Sequence, residues 1–109
     1  MSRHSDLVSG SKELGTSIAH TIKIELTTRP ESVNFMRHEE ETYREQALLK
    51  LFKHSWNDSE KKEIELKAIK RINEIFNEPK NQDIRAKISE KDIEQKVKQQ
   101  LVQLFRAIN

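Results

Sequence analysis

Residues 18–28 read Ile-Ala-His-Thr-Ile-Lys-Ile-Glu-Leu-Thr-Thr. Ile18, Ile22, Ile24 and Leu26 share one parity, while Thr21, Lys23, Glu25 and Thr27 take the other. That alternation is the period of a strand with one buried face, and no later stretch of the chain repeats it. A lone strand leaves peptide groups without partners, and each one buried that way costs about 1–3 kcal/mol. The remedy the sequence implies is pairing between chains, with Ile22, Ile24 and Leu26 on the contact face. The remainder reads as helix, because two glycines and two prolines in 109 residues leave little punctuation. The expected fold is mainly α: one N-terminal β-strand, paired between chains, followed by three helices.

Ahead of the strand, residues 1–17 are rich in serine, contain Gly10 and Gly15, and offer only Leu7, Val8 and Leu14 as apolar anchors. They read as a flexible arm leading a single small domain over residues 18–109. Pro30 closes the strand. A first helix is expected from near Glu31 to about His54, with Val33, Met36, Tyr43, Ala47 and Leu51 on one face. A second covers roughly 59–77, capped by Asn57 with Glu60 and striped by Ile64, Ala68, Ile72 and Ile75. Residues 77–87, with Pro79 inside, read as a loop. The third helix starts at Ser89, with Asp92 placed for a reciprocal cap, and carries Ile93, Val97, Leu101, Leu104 and Ile108 to the C-terminus.

Composition narrows the chemistry. Charged residues make up 35%, with 20 basic against 18 acidic side chains and a net charge of +2. That slight excess is spread thinly, unlike the concentrated charge of a strong non-specific nucleic-acid binder. The absence of cysteine excludes disulfides, thiolate catalysis and cysteine-ligated metals. No apolar run approaches the roughly 20 residues of a membrane span, and no apolar stretch follows Arg3 and His4 as a secretory signal would require. A cytoplasmic location with no membrane partner is expected.

No Gly-rich phosphate loop, nucleophile elbow, HExxH motif or triad spacing is present. His38, Glu41 and Glu45 share a helical face and are plausible metal ligands by type. The second helix offers no histidine to complete a site, so they read as a solvated acidic stretch, with Glu40 paired to Arg44. His20, among isoleucines, reads as a half-buried histidine whose hydrogen bonds are satisfied. No catalytic residue, metal or cofactor is expected.

What remains is contact. Leu48, Phe52 and Trp56 follow at i, i+4 and i+8, a second apolar stripe rotated by about 100° from the first helix's core stripe. With Ile22, Ile24 and Leu26 they are the candidate partner-binding residues of a non-catalytic adaptor, assembly factor or inhibitor. Its partners would be copies of itself and an unidentified protein. The alternative is nucleic acid. Residues 20–36, with Thr21, Lys23 and Thr27 on one parity, then Arg29-Pro30 and a helix, resemble the ribbon-helix-helix regulators. That resemblance implies two chains pairing their strands antiparallel and presenting Thr21, Lys23, Thr27 and Arg29 to the major groove, as a transcriptional regulator or antitoxin would.

Overall fold

The longest element of the computed structural model is a helix of 24 residues, α1, running Arg3–Leu26. The structure describes residues 2–27, 31 and 33–108. After α1 come α2 (Val33–Leu51), α3 (Asp58–Phe76), a 3-10 turn (Pro79–Asn81), the one-turn α4 (Gln82–Arg85) and α5 (Glu90–Ile108). Among the described residues there is no strand.

Both N-terminal expectations are therefore corrected. Residues 3–17 are not an arm, and residues 18–26 are not a strand. With the strand goes the pairing between chains, and the ribbon-helix-helix arrangement is not the fold of this chain. The physical reason lies in a second period. Leu7, Ser11, Leu14, Ile18 and Ile22 recur at four, three, four and four residues, and all are buried. Ile18, Ile22 and Leu26 are four apart, so they satisfy an alternating pattern and a helical one equally. Packing on two sides then overrides the strand preference of the β-branched residues.

The small and hydroxylated residues that suggested disorder are what make α1 a central helix. Ser11 donates to the Leu7 carbonyl, Thr16 to that of Lys12 (3.0 Å) and Thr21 to that of Ser17 (3.2 Å). Each hydroxyl is satisfied within its own helix and can face a neighbour without cost. Ser2 caps the start, accepting from the Ser5 amide at 3.1 Å. Gly10 and Gly15 then let the adjoining helices approach closely. A Cβ on Gly10 would sit 2.9 Å from the Leu51 side chain, and one on Gly15 would sit 2.7 Å from the Ala68 carbonyl oxygen.

α1 is consequently flanked by α2 and by α3, while α5 lies mainly on α3 with a lighter contact to α1. The core joins Leu14, Ile18, Ala19 and Ile22 of α1 to Ala47 and Leu51 of α2. From α3 come Ile64, Ala68, Ile72 and Phe76, and from α5 Ile93, Val97, Leu101 and Leu104. The later helices begin where the sequence places them. Asn57 and Glu60 form a reciprocal cap, and so do Ser89 and Asp92, with Asp92 N to Ser89 Oγ at 3.1 Å and the return bond at 3.2 Å. The stretch 77–87, expected as loop, holds the 3-10 turn and α4, and buries Ile84.

The Gly15 contact makes a prediction. Gly15→Ala should destabilise the fold by up to about 2 kcal/mol, because overpacking against backbone outweighs the roughly 1 kcal/mol that alanine gains in a helix. Gly10→Ala should cost clearly less, since a leucine side chain can shift where a carbonyl cannot. Urea denaturation of the two variants would check the order.

Candidate functional site

Two polar clusters and one apolar surface are the candidate sites. The first cluster ties the start of α1 to the α2–α3 connection. Arg3 donates from Nε and Nη2 to the two carboxylate oxygens of Glu60, both at 2.8 Å, and also to the Ser55 carbonyl. Its guanidinium lies 4.8 Å from the centre of the Trp56 ring. Asp6, one turn on, accepts from His54 Nε2 at 2.8 Å, and His54 meets Trp56 edge-on at 5.1 Å. Trp56 is 4% exposed and donates from Nε1 to the Leu51 carbonyl at 2.9 Å. The Arg3 bonds, with the Asn57 amide second, hold the Glu60 carboxyl at about 2, well below its usual range. The His54 bond likewise lowers the Asp6 carboxyl, with nearby Lys53 contributing.

The second cluster centres on His20, in a cleft of about 530 Å³ beneath α2. His20 Nδ1 lies 2.8 Å from the Thr16 carbonyl and Nε2 lies 2.7 Å from Glu39, while the ring stacks on Tyr43 at 5.8 Å. Both ring nitrogens lie within hydrogen-bond distance of oxygens of the protein itself, one on α1 and one on α2, so the ring fastens α1 to α2. Ser17 adds a bond to Glu40 (3.4 Å), so Glu40 turns inward where the sequence suggested a pair with Arg44. Lys23 is half-buried at this cleft, and its desolvation, with Lys80 nearby, lowers its pKa against the pull of Glu78, Glu39 and Asp83. Among the described residues no three His, Asp or Glu side chains converge as a metal-holding group.

The apolar surface is the C-terminal end of α2. Leu49 is 69% exposed and Phe52 is 49% exposed. Together with half-buried Leu48 they form a shallow depression, flanked by Glu45 and Lys53. Leu48 and Phe52 also line one end of a groove of about 490 Å³. That groove exists because α2 packs almost wholly on α1 and leaves a gap towards α5. α1 supplies its floor, with Leu14 and Ile18 at the bottom, and Arg37, Glu40, Glu41 and Arg44 stand along the α2 wall.

The residues singled out by sequence are thus scattered. Leu48 and Phe52 come together on one surface. Trp56 does not join them, because the helix ends at Leu51 and the connection turns the indole into the core. Ile22 is fully buried, Leu26 packs partly against the core, and Ile24 lines the groove. Thr21 bonds within α1, Lys23 lies at the His20 cleft, and Thr27 caps the end of α1. Arg29 lies outside the described residues. Sequence reasoning missed Leu49 as a surface residue, although its place between Leu48 and Phe52 on the outer face signalled it. It also missed the Arg3–Glu60 and Asp6–His54 contacts, which span 57 and 48 residues and leave no local trace.

No protein-family model, curated protein or solved structure matches this chain. The class its fold defines is a small all-α bundle built around a central N-terminal helix.

The lowered Glu60 carboxyl has a pH consequence. A carboxyl whose pKa falls on folding adds stability that is fully present above its unfolded value and is lost as pH drops towards about 2. Glu60→Gln should therefore be less stable than the wild type at neutral pH and lose less on acidification, the two converging near pH 2. Urea midpoints followed by fluorescence of Trp56, the only tryptophan, would read this. Parallel curves would show that the carboxyl is not held low.

Proposed function

We propose that this chain is a non-catalytic interaction protein that works by contact, as an assembly of its own copies built through the C-terminal end of α2. The observation that carries the reading is the exposure of Leu49 and Phe52 side by side on the outer face of a helix. Contiguous apolar surface of this kind on a small soluble domain marks a contact site. The polar clusters support the same reading from the other direction. His20, through Glu39, and His54, through Asp6, fasten α1 to its neighbours.

The test is sedimentation of the wild type and of the double variant Leu49→Ser/Phe52→Ser across a concentration series. The wild type should associate as concentration rises. The variant should stay monomeric while keeping its helicity and its melting temperature, since substitutions at exposed positions change stability by only about 0.5 kcal/mol. A wild type that remains monomeric to its solubility limit overturns the reading, and so does a variant that unfolds.

A further inference from the structure

Lys23, Lys50, Lys61, Lys67 and Lys96 are the lysines that the fold partly buries. Four of them have a partner. Lys50 pairs with Glu13, Lys67 with Glu63 at 3.8 Å and Lys96 with Glu25 at 2.9 Å, while Lys61 lies 5.2 Å from the centre of the Phe105 ring. Lys23 alone of the five has no hydrogen bond, ion pair or ring contact to a described residue. Withdrawing an ammonium from water without giving it an acceptor penalises the charged form. Lys80 stands near and adds to that penalty, whereas Glu78, Glu39 and Asp83 oppose it. Desolvation is the largest effect, and the pKa of Lys23 is lowered.

The amine is also reachable. Thr16, His20, Lys23 and Thr27 recur at four, three and four residues along α1 and form the floor of the cleft of about 530 Å³. That volume falls within the range of small-molecule sites. Thr16 Oγ1 accepts from Arg71 Nε at 3.1 Å, about 10 Å along the helix from Lys23. His20 is held by Glu39 and stacked on Tyr43. Apolar side chains stand on both sides of the floor, Phe35 and Met36 from α2, Ile75 and Ile84 from α3 and α4. Phe35 is 66% exposed, so a ring face is open at the cleft.

We propose that Lys23 is a carbonyl-capturing amine, and that the cleft takes a small aromatic aldehyde which Lys23 holds as an imine. The nitrogen lone pair of the neutral amine attacks the carbonyl carbon, and the C=O electron pair moves to oxygen. The carbinolamine so formed loses water as the C=N bond closes, the two amine hydrogens leaving with the carbonyl oxygen. Nothing is oxidised or reduced, and hydrolysis reverses the capture. Lysines activated for this chemistry are desolvated or stand beside a second cation, and Lys23 is both. The aromatic body of the ligand follows from Phe35, since an open ring face favours stacking or edge contact with another ring. The site lies at the opposite end of α2 from Leu49 and Phe52 and does not depend on self-association.

Benzaldehyde is the probe. The full chain is incubated with it at neutral pH for a limited time, reduced with cyanoborohydride, digested and mapped by mass spectrometry, with the α-amine counted apart. Lys23 should carry the benzyl group about tenfold more than any other lysine, and urea should abolish the preference. Phe35→Ala, at an exposed position, should lower benzaldehyde capture at Lys23 about threefold while leaving formaldehyde capture unchanged. Lys80→Met should move the pH of half-maximal capture upward, because a like charge is gone. Benzyl groups spread evenly over the lysines of the folded chain, or gathered on a lysine other than Lys23, overturn the proposal. So does a Lys23 preference that is equal for the two aldehydes and indifferent to Phe35→Ala, which would make the amine reactive without a ligand site.

Discussion

α1 approaches α3 so closely at Gly15 that even a methyl group there would lie 2.7 Å from the Ala68 carbonyl oxygen. That separation is possible only because α1 presents glycine, alanine, serine and threonine where other helices present leucine. Close packing of backbones brings the flanking isoleucines of both helices into contact, and Ile18, Ile22, Ile64 and Ile72 are buried as a result. The hydroxyls on this surface bond to carbonyls of their own helix. A helix with so much polar character can thus occupy the centre of a bundle.

Once α1 is central, the polar contacts follow a pattern. Arg3–Glu60, Asp6–His54, His20–Glu39 and Lys50–Glu13 each join α1 to another segment. Three of the four fasten it to α2 or to the residues that follow it. α2 needs them, because apart from α1 it has almost no helix to pack on. Its outer face is left bare, and the surface proposed for self-association is the apolar part of that bare face.

The helices from Asn57 onward were legible because their starts are local signals. Asn57 with Glu60, and Ser89 with Asp92, bond within four residues, and the stripes that follow keep a single period. Surface pairs carry no such fixed local signal: Lys67 lies 3.8 Å from Glu63 one turn back, while Lys62 pairs with Glu65 and Lys96 reaches Glu25 of α1, since an exposed lysine has several acids within reach. α1 was misread because its apolar residues fit two periods and its small residues carry no hydropathy. What distinguishes a disordered serine-rich arm from a close-packed helix is the neighbour, and the neighbour is α3, far along the chain. Leu48 and Phe52 were found by spacing alone, while Trp56 obeyed the same spacing beyond the point where the helix stops.

The order of the elements bears on how the chain is made. α1 leaves the ribosome first, yet the carboxylate that receives Arg3 is encoded 57 residues later. At roughly 5–20 residues per second, about 3–11 seconds pass before Glu60 is even synthesised, and the exit tunnel adds to the wait. During that interval the most buried helix of the finished protein has neither α3 nor its connection to lean on. Its isoleucines face solvent or whatever else binds nascent chains. The hydroxyl-to-carbonyl bonds of Ser11, Thr16 and Thr21, the Ser2 cap and the contact of His20 with the Thr16 carbonyl need no later residue, so α1 can form them while it waits.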